Sequence, residues 1–322
     1  MIDKLLRVGR IIVSLAAFCI LTCGLVCPAL MLPGVGPWLE KIQLGPAILG
    51  FSLFIFIVWL LVTLAFGRIY CSTVCPLGTL QDICARSRRM VPLVKLIDTP
   101  RRYRYMRPAT AVRYSVLVIV LLCIVLGISV VTSVFEPFSA FSRLCDDFLR
   151  PVVILVAKGL ARIGVETPAA SVILTANAGA CIIATLIAAV TVFVSAQSGR
   201  TLCNTICPLG TAMGCVSRYS IYQMDIDTDL CIQCGRCEAV CKSSCIDLTD
   251  HVVDGSRCVV CFDCVNVCPN SAIRYTWRRK QLSTPMMTRI SDFGNSPETS
   301  VDSTCKPIRN NETISDPASR NP

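Results

Sequence analysis

Histidine is almost absent from this chain, since His251 is the only one in 322 residues. A b-type haem held by two axial histidines is therefore excluded, and no C-x-x-C-H sequence is present to attach a c-type haem. The chain also lacks a G-x-G-x-x-G fingerprint and a Walker loop, so it has no evident site for taking hydride from a dinucleotide. We expect His251 to be a solvated loop residue.

Charge is scarce as well: 16% of the residues are charged, 53% are hydrophobic and the mean hydropathy is +0.63. Four runs contain no Asp, Glu, Lys, Arg or His, and each is long enough to cross a bilayer as a helix. The runs are Ile11–Leu32, Ala47–Phe66, Tyr114–Val134 and Ser171–Ala196. They predict four transmembrane helices, and their lack of ionisable groups argues against an ion pump. The first run is not expected to be a cleaved signal peptide, because such a peptide has a shorter apolar run that is followed by an A-x-A cleavage site.

The basic residues predict the orientation of these helices. The segment 67–113 carries ten Lys or Arg residues against Asp82 and Asp98, which places it in the cytoplasm. The segment 135–170 has balanced charges typical of the far side, and its part 151–164 is predicted to be an interfacial helix. Four crossings of a bacterial inner membrane leave both termini cytoplasmic. Because the basic residues crowd the loops, topology explains the net charge of +10 better than nucleic acid does.

Two cysteine runs with the spacing C-x2-C-x2-C-x3-C follow the last apolar segment. The runs are Cys231, Cys234, Cys237 and Cys241, and then Cys258, Cys261, Cys264 and Cys268. They superimpose with a period of 27 residues, and Ile246 superimposes on Ile273. This spacing is typical of bacterial ferredoxins, in which the fourth cysteine of each run ligates the other cluster. Zinc also uses C-x2-C pairs, but the third cysteine and the crossed fourth one are not zinc-ribbon features.

Residues 225–276 resemble the bacterial ferredoxin module with two 4Fe-4S clusters. The resemblance implies one cluster on Cys231, Cys234, Cys237 and Cys268, and another on Cys258, Cys261, Cys264 and Cys241. Lys242 departs from the family, because a proline usually follows the fourth cysteine, as Pro269 does in the second run. We expect this change to alter a turn and to leave both clusters in place. Clusters of this kind persist in a reducing compartment, which agrees with a cytoplasmic module.

A second duplicated motif follows the second and fourth apolar runs. Residues 67–79 and 199–211 are identical at nine of thirteen positions, and each contains C-x3-C-P. The duplication predicts two parallel repeats related by an axis along the membrane normal. That symmetry would bring Cys71, Cys75, Cys203 and Cys207 together at the cytoplasmic face below the clusters. Arg68 and Arg200 are predicted to snorkel at the membrane edge.

The chemistry of these four thiols stays open at this point. They could bind a third iron–sulfur centre, bind copper, or cycle as dithiols. Alternatively, Pro and Gly shape a turn at the end of a helix and the thiols have no function. Cys84 and Cys215, which lie a few residues beyond the two motifs, could supply extra ligands.

The remaining cysteines are predicted to have structural roles. Cys19, Cys23 and Cys27 share one helix face and are predicted to pack at a helix–helix contact. Cys123 and Cys181 lie within spans and are predicted to pack in the core, while Cys305 is an incidental thiol. A disulfide between Cys27 and Cys145 is an alternative if both face the outside.

Duplicated C-x3-C-P followed by a two-cluster module resembles the NapH-type membrane ferredoxins, whose wider family includes the carboxy-terminal part of NosR and the CcoG copper-handling proteins. The resemblance covers about residues 45–275. It implies electron transfer between the membrane quinone pool and a redox partner protein that the sequence does not name. A quinone would bind among the four helices, with Gln43 as a candidate contact. Two alternative functions stay open for this chain. One is a copper reductase or assembly factor that uses the C-x3-C-P thiols, and the other is a redox sensor.

The predicted fold is a mainly α membrane protein with a small α+β ferredoxin domain. Residues 1–224 form the four-helix membrane domain, 225–280 the ferredoxin domain, and 281–322 a disordered polar tail. A basic cluster follows the second run and is predicted to lie against anionic headgroups. It consists of Arg274, Arg278, Arg279 and Lys280.

Overall fold

The computed structural model describes residues 2–27, 42–43, 53–87, 103–128, 134–163 and 178–277. Most of these residues are helical. The α-helices are α1 (Ile2–Val26), α2 (Leu53–Phe66), α3 (Ile69–Thr73), α4 (Pro76–Ser87), α5 (Thr110–Val125), α6 (Pro137–Arg143), α7 (Arg150–Ala161), α8 (Ala178–Ser198), α9 (Thr201–Thr205), α10 (Pro208–Ser217), α11 (Arg236–Val240) and α12 (Asp263–Val267). A π-helix, Leu144–Leu149, joins α6 to α7.

The strands of the described ranges all lie around the cysteine runs. Strand β1 (Tyr222–Ile226) pairs antiparallel with β4 (Ile273–Trp277), with Ile226 opposite Ile273. Strand β2 (Ile246–Asp247) pairs antiparallel with β3 (Val252–Val253). The first and last strands close the module, and Ile226, Ile246 and Ile273 are each 1% exposed in its core. The predicted boundary at residue 225 falls within β1.

The 27-residue repeat of the sequence is also a repeat of the backbone. Helices α11 and α12 occupy equivalent positions and have the same length. Positive φ angles, which are strained for most residues other than glycine, recur at equivalent positions in the two halves. The pairs are Gln233 with Val260, Gly235 with Phe262, and Ser244 with Ser271. Both cysteine runs therefore fold into the same loop.

The four predicted spans are found only in part. Within the described ranges one helix, Leu5–Val26, is long and apolar enough to cross a bilayer by length and composition. The shorter apolar helices Phe54–Phe66, Thr110–Val125 and Thr185–Ser198 lie at the other three predicted spans. All four predicted spans extend into residues outside the described ranges. The number of crossings therefore stays a prediction.

Two span boundaries differ from the prediction. Helix α1 begins at Ile2, before the predicted residue 11, because Arg7 and Arg10 find acidic partners and need not lie in a loop. It ends at Val26, two residues before a proline, and prolines disfavour helix in the residue they follow. Helix α5 ends at Val125, short of the predicted residue 134, because Gly127 has a φ of +73° that ends the helix.

The segment predicted to lie on the far side packs inward against the long helices. Glu136 caps α6 by accepting hydrogen bonds from the backbone N–H groups of Phe138 and Ser139. Phe141 and Cys145 are then buried with Val26 of α1. The predicted helix at 151–164 is found as α7, which continues this packed helical segment, and its position at a membrane interface stays a prediction.

Three of the other cysteines do not lie where the sequence predicted. Cys19 and Cys23 are exposed, so the predicted packing of both at a helix–helix contact is wrong for the described residues. Cys27 is half-buried beside Cys145, and both are free thiols. Cys123 is half-buried rather than in the core. The side chain of Cys181, the thiol of Cys305, and the proposed tail and basic residues beyond 277 lie outside the described structure.

Candidate iron–sulfur sites

Four cysteines line one cavity at the tip of the ferredoxin module. Cys231, Cys234, Cys237 and Cys268 border a space of about 310 Å³, part of which is open to solvent. The three partners of Cys237 all act on it electrostatically, and burial is the main reason that its pKa rises to about 12. The fourth cysteine of the second run thus joins the first three cysteines of the first run. This is the crossed arrangement that the resemblance implies.

The second set of thiols lies deeper in the module. Burial raises the pKa of Cys264 well above its usual range, and the charges of Cys261, Cys258 and Cys241, followed by Cys237, raise it further. Cys241 and Cys264 are buried, and Cys258 and Cys261 are half-buried. Because Cys241 belongs to the first run, this set is crossed as well.

The loops direct backbone N–H groups at these sulfurs. The N–H of Ala272 donates to Cys268 Sγ at 3.2 Å. Backbone hydrogen bonds from Gln233, Glu238 and Asp263 also favour the thiolates of Cys231, Cys237 and Cys261. Val260 is 3% exposed and adopts a φ of +52°, which is costly for a β-branched residue. The donor set and the strained turns both fit thiolate-bound iron–sulfur clusters.

A ninth cysteine of the module, Cys245, escaped the sequence analysis because it lies outside the C-x2-C-x2-C-x3-C pattern. Its Sγ lies 3.5 Å from Cys241 Sγ, it is 1% exposed, and it also forms a hydrogen bond with Cys258. The hydrogen bond with Cys245 lowers the pKa of Cys241. The 27-residue period could have drawn attention to this thiol, because the equivalent residue of the second half is Ala272.

The two C-x3-C-P loops meet, as the duplication predicted, and each receives an arginine from the other. Arg200 Nη1 donates to the carbonyl oxygen of Cys71 at 2.5 Å. Arg68 Nη1 donates to Asn204 Oδ1 at 2.8 Å. Arg68 and Arg200 are 0% and 1% exposed, so the prediction that they snorkel at the membrane edge is wrong. A guanidinium can be buried here because carbonyl, amide and carboxylate oxygens accept its hydrogen bonds.

The glycine of each loop allows this close approach. A Cβ on Gly78 would collide with the carbonyl oxygen of Cys71, and one on Gly210 would collide with that of Cys203. The same hypothetical atoms would lie 3.3 Å from Arg200 Nη1 and 2.8 Å from Arg68 Nη2. The P-L-G-T sequence thus requires its glycine, because any larger residue at that position would separate the loop from the arginine of the other repeat.

The four C-x3-C-P thiols form one group. Burial raises the pKa of Cys75, and the charges of Cys203, Cys71 and Cys207 raise it further. Burial also raises the pKa of Cys203 to about 11, and its thiol donates to Gln81 Oε1 at 3.0 Å. Within the described ranges, no three side chains of His, Cys, Asp or Glu converge closely enough to hold a single metal ion.

Cys84 and Cys215, which the sequence suggested as extra ligands, are not among the thiols whose charges act on Cys75. Cys215 Sγ lies 3.8 Å from the Tyr114 hydroxyl, on another helix. Cys84 is half-buried, and burial raises the pKa of its thiol.

An ion network joins the ferredoxin module to the loops. Asp82 accepts from Arg200 Nε at 2.8 Å and from Arg10 Nη1 at 3.3 Å, and it lies 3.6 Å from Lys242 Nζ. Burial alone would raise the pKa of Asp82, but Arg200, Lys242 and Arg10 hold it well below its usual range. Lys242 Nζ also lies 3.0 Å from Asp263 Oδ2. Lys242, which stands in place of the usual proline, thus holds the ferredoxin module against the loops. The sequence had predicted only an altered turn at this position.

Two candidate residues have surroundings that differ from the prediction. Gln43 is 0% exposed; its Oε1 accepts from the Tyr70 hydroxyl at 2.8 Å, and its Nε2 donates to the carbonyl oxygen of Val74. The prediction that it contacts quinone is therefore not supported, because its amide is already bonded within the protein. His251 is 5% exposed and lies 3.3 Å from the Gln233 amide, so the prediction of a solvated residue is wrong.

The two thiol regions meet at Cys261. Cys261, from the second run, packs against the apolar cluster that contains Cys71, Cys75 and Tyr70. Electrostatic interactions also link Cys261 to Lys242 and Arg200. The ferredoxin module thus presents its second thiol set, by way of Cys261, to the C-x3-C-P loops.

Comparison with known families supports the iron–sulfur interpretation. A model described as a 4Fe-4S binding domain matches residues 48–93 and 181–223, which contain the two C-x3-C-P motifs. A second model, also described as a 4Fe-4S binding domain, matches residues 224–247, which contain the first cysteine run. Neither the curated proteins nor the solved structures gave a match. The chain therefore contains ferredoxin-type 4Fe-4S binding domains.

Proposed function

We propose that this chain is a membrane-bound electron-transfer protein that relays electrons between the quinone pool and a redox partner protein. The observation that carries the proposal is the contact of Cys261 with the C-x3-C-P cluster, because it connects a ferredoxin-type thiol set to the apolar helices. The NapH-type membrane ferredoxins, which the motifs resemble, have this function.

In this proposal the eight cysteines of the two runs hold two 4Fe-4S clusters in the crossed arrangement. When bound, the two clusters would each carry one electron, so together they could take the two electrons of one quinol, whose two protons would pass to water. The chain's own residues hold the thiolates, donate N–H groups to the sulfurs and bury Cys241 and Cys264 of the second thiol set. The arginines and Lys242 place positive charge beside that set, which favours its reduced and more negative form.

The directions of the helices support a four-crossing topology in the inner membrane. One end of each apolar helix contacts the ferredoxin module. The contacts are Arg7 of α1 to Asp263, Phe66 of α2 to Tyr275, Arg113 of α5 to Ser256, and Arg200 after α8 to Lys242. Alternate helices run in opposite directions, which supports the proposal that both termini and the module share one side of the membrane. The basic loops favour the cytoplasm as that side. Exposed apolar side chains on all four helices provide a surface for lipid.

Helix α1 is proposed to be a retained span rather than a signal sequence. Arg7 Nε donates to Asp263 Oδ1 at 2.8 Å, and Arg10 Nη1 donates to the carbonyl oxygen of Ser72 at 3.2 Å. The helix also buries Ser14, whose hydroxyl is bonded to Thr79. A segment that is cleaved on export would not contribute side chains to both functional regions.

The proposal is tested by mixing the anaerobically purified chain with a menaquinol analogue and recording electron paramagnetic resonance spectra. Signals of reduced clusters after quinol support the function. Clusters that quinol leaves oxidised, although dithionite reduces them, contradict it.

Replacing Cys245 with alanine is expected to lower the reduction potential of one cluster. The S–H group of Cys245 lies within hydrogen-bonding distance of Cys241, and hydrogen bonds to ligand sulfurs raise the potential. Alanine is the residue at the equivalent position of the second half, so the backbone should tolerate it. Potentiometric titration followed by electron paramagnetic resonance measures both clusters separately. Ala272→Ser, on the other cluster, is the matched control, and an unchanged potential in Cys245→Ala would contradict the prediction.

A further inference from the structure

We propose that Cys71, Cys75, Cys203 and Cys207 together bind a third iron–sulfur cluster, shared between the two repeats. The inference rests on the proposed function and extends it. Each loop supplies two thiols, and the thiol charges of Cys71, Cys203 and Cys207 act on Cys75. Three of the four are 4–6% exposed, so the group is enclosed by protein.

Buried N–H donors around the thiols lack acceptors. Gln81 Nε2, Arg68 Nε and Arg200 Nη2 have no hydrogen-bond partner among the described residues, although their side chains are at most 1% exposed. Buried donors are satisfied in the great majority of cases. The sulfide and thiolate sulfurs of a cluster would accept these hydrogen bonds. A turn that merely ended a helix would have no use for three unpaired donors in its core.

The charges at the group favour an anionic centre. Arg68 Nη2 lies 3.8 Å from Cys71 Sγ, and the charges of Arg200 and Arg68 both act on Cys203. An anion buried among apolar side chains requires nearby positive charge. A cluster with four thiolates is anionic, whereas four neutral thiols would gain little from two buried guanidinium groups.

A single metal ion would require the thiolates to converge more closely than a cluster does. Thiolates that share one zinc ion lie about 3.8 Å apart, given Zn–S bonds of about 2.3 Å. No three of the described His, Cys, Asp or Glu side chains converge to hold a single ion. A 4Fe-4S cluster instead takes each thiolate on a separate iron, so its ligands surround a larger space.

The position of the centre gives it a role in the proposed relay. Cys261 packs on the same apolar cluster as Cys71 and Cys75, together with Leu209 and Met213. A third centre here would lie between the second ferredoxin thiol set and the apolar helices. It would shorten the distance between a quinone in the membrane and the ferredoxin clusters.

The test is iron and acid-labile sulfide per chain, with Mössbauer spectra, on the full chain purified anaerobically in detergent. We expect about twelve irons in the wild type and about eight in the double variant Cys75→Ser/Cys207→Ser. The matched control is Cys84→Ser/Cys215→Ser, which changes thiols on the two helices that follow the motifs and should keep about twelve. The ferredoxin signals report whether each variant has folded.

Each other result has a definite meaning. About eight irons in wild type and double variant alike overturns the third cluster, as does copper that is lost with Cys75 and Cys207. Fewer than about eight irons in the wild type, without reducible ferredoxin signals, contradicts the proposed function instead. If the double variant fails to fold, Gln81→Leu provides the test, because it should shift the spectrum of a third centre and leave the ferredoxin signals unchanged. An identical spectrum in Gln81→Leu overturns the proposal.

Discussion

Replacing Asp82 with asparagine is expected to destabilise the chain by about 3–5 kcal/mol, because it leaves the buried Arg10 and Arg200 side chains without their anion. Asp82 is within 3.6 Å of three cationic side chains, those of Arg10, Arg200 and Lys242. Its own side chain is 13% exposed, so water cannot replace the carboxylate. The three partners belong to α1, to the second C-x3-C-P loop and to the ferredoxin module, so the variant should loosen all three together.

Thermal unfolding in detergent, followed by tryptophan fluorescence, measures the effect. A loss of this size corresponds to a fall in Tm of roughly 10 °C. The control is Asp146→Asn, whose partner Arg150 lies 3.7 Å away and whose side chain is 47% exposed. Such a surface pair contributes about 0–1 kcal/mol, so its Tm should hardly change. Equal Tm values for wild type and Asp82→Asn would show that the network does not stabilise the docked module.

Replacing Cys268 with serine is expected to remove or convert the cluster held by the first cysteine run, not the one held by its own run. The reason is the crossed geometry, in which Cys268 lines the cavity of Cys231, Cys234 and Cys237. We expect Cys268→Ser and Cys231→Ser to lose the same paramagnetic signal and up to about four irons per chain. Cys258→Ser should lose the other signal.

Spectra of the reduced single variants and the wild type decide the ligation. The matched control is Cys123→Ser on α5, a half-buried thiol outside both sets, which should retain both signals. If Cys268→Ser instead loses the signal that Cys258→Ser loses, the two runs bind their clusters without crossing. The loops would then have to rearrange from the geometry described here.

Local spacing accounts for what the sequence predicted well. The 27-residue period led directly to paired loops, and the backbone repeats its positive φ angles at Gln233 and Val260. The duplicated C-x3-C-P motif likewise predicted that two loops meet, as Arg200 and Cys71 do. In both cases a covalent repeat imposes a spatial one, which needs no knowledge of distant partners.

Residues whose role depends on a distant partner were not predictable in this way. Arg68 and Arg200 read as surface cations because nothing in their own segments reveals an acceptor in the other repeat. Lys242 appeared only to replace the proline of the ferredoxin pattern. Its ammonium group nevertheless pairs with Asp82, which lies 160 positions earlier in the chain. Gln43 looked available to a ligand because its partner Tyr70 is brought in by the fold.

Apolar runs also gave uncertain helix ends. A charge-free window locates the centre of a helix, but the ends depend on caps and on pairing. Gly127 shortens α5, whereas the pairing of Arg7 and Arg10 lets α1 begin earlier. The buried His251 is a related case, since a turn between short strands becomes enclosed when Gln233 packs on it.

The reaction of the anaerobic chain with quinol tests the central claim most directly. Electron paramagnetic resonance spectra would be recorded as isolated, after a menaquinol analogue, and after dithionite. We predict that quinol produces signals of reduced clusters and that dithionite adds those of lower potential. Clusters that dithionite reduces but quinol leaves oxidised would contradict direct quinol oxidation, and a low-potential cytoplasmic donor would then have to supply the electrons.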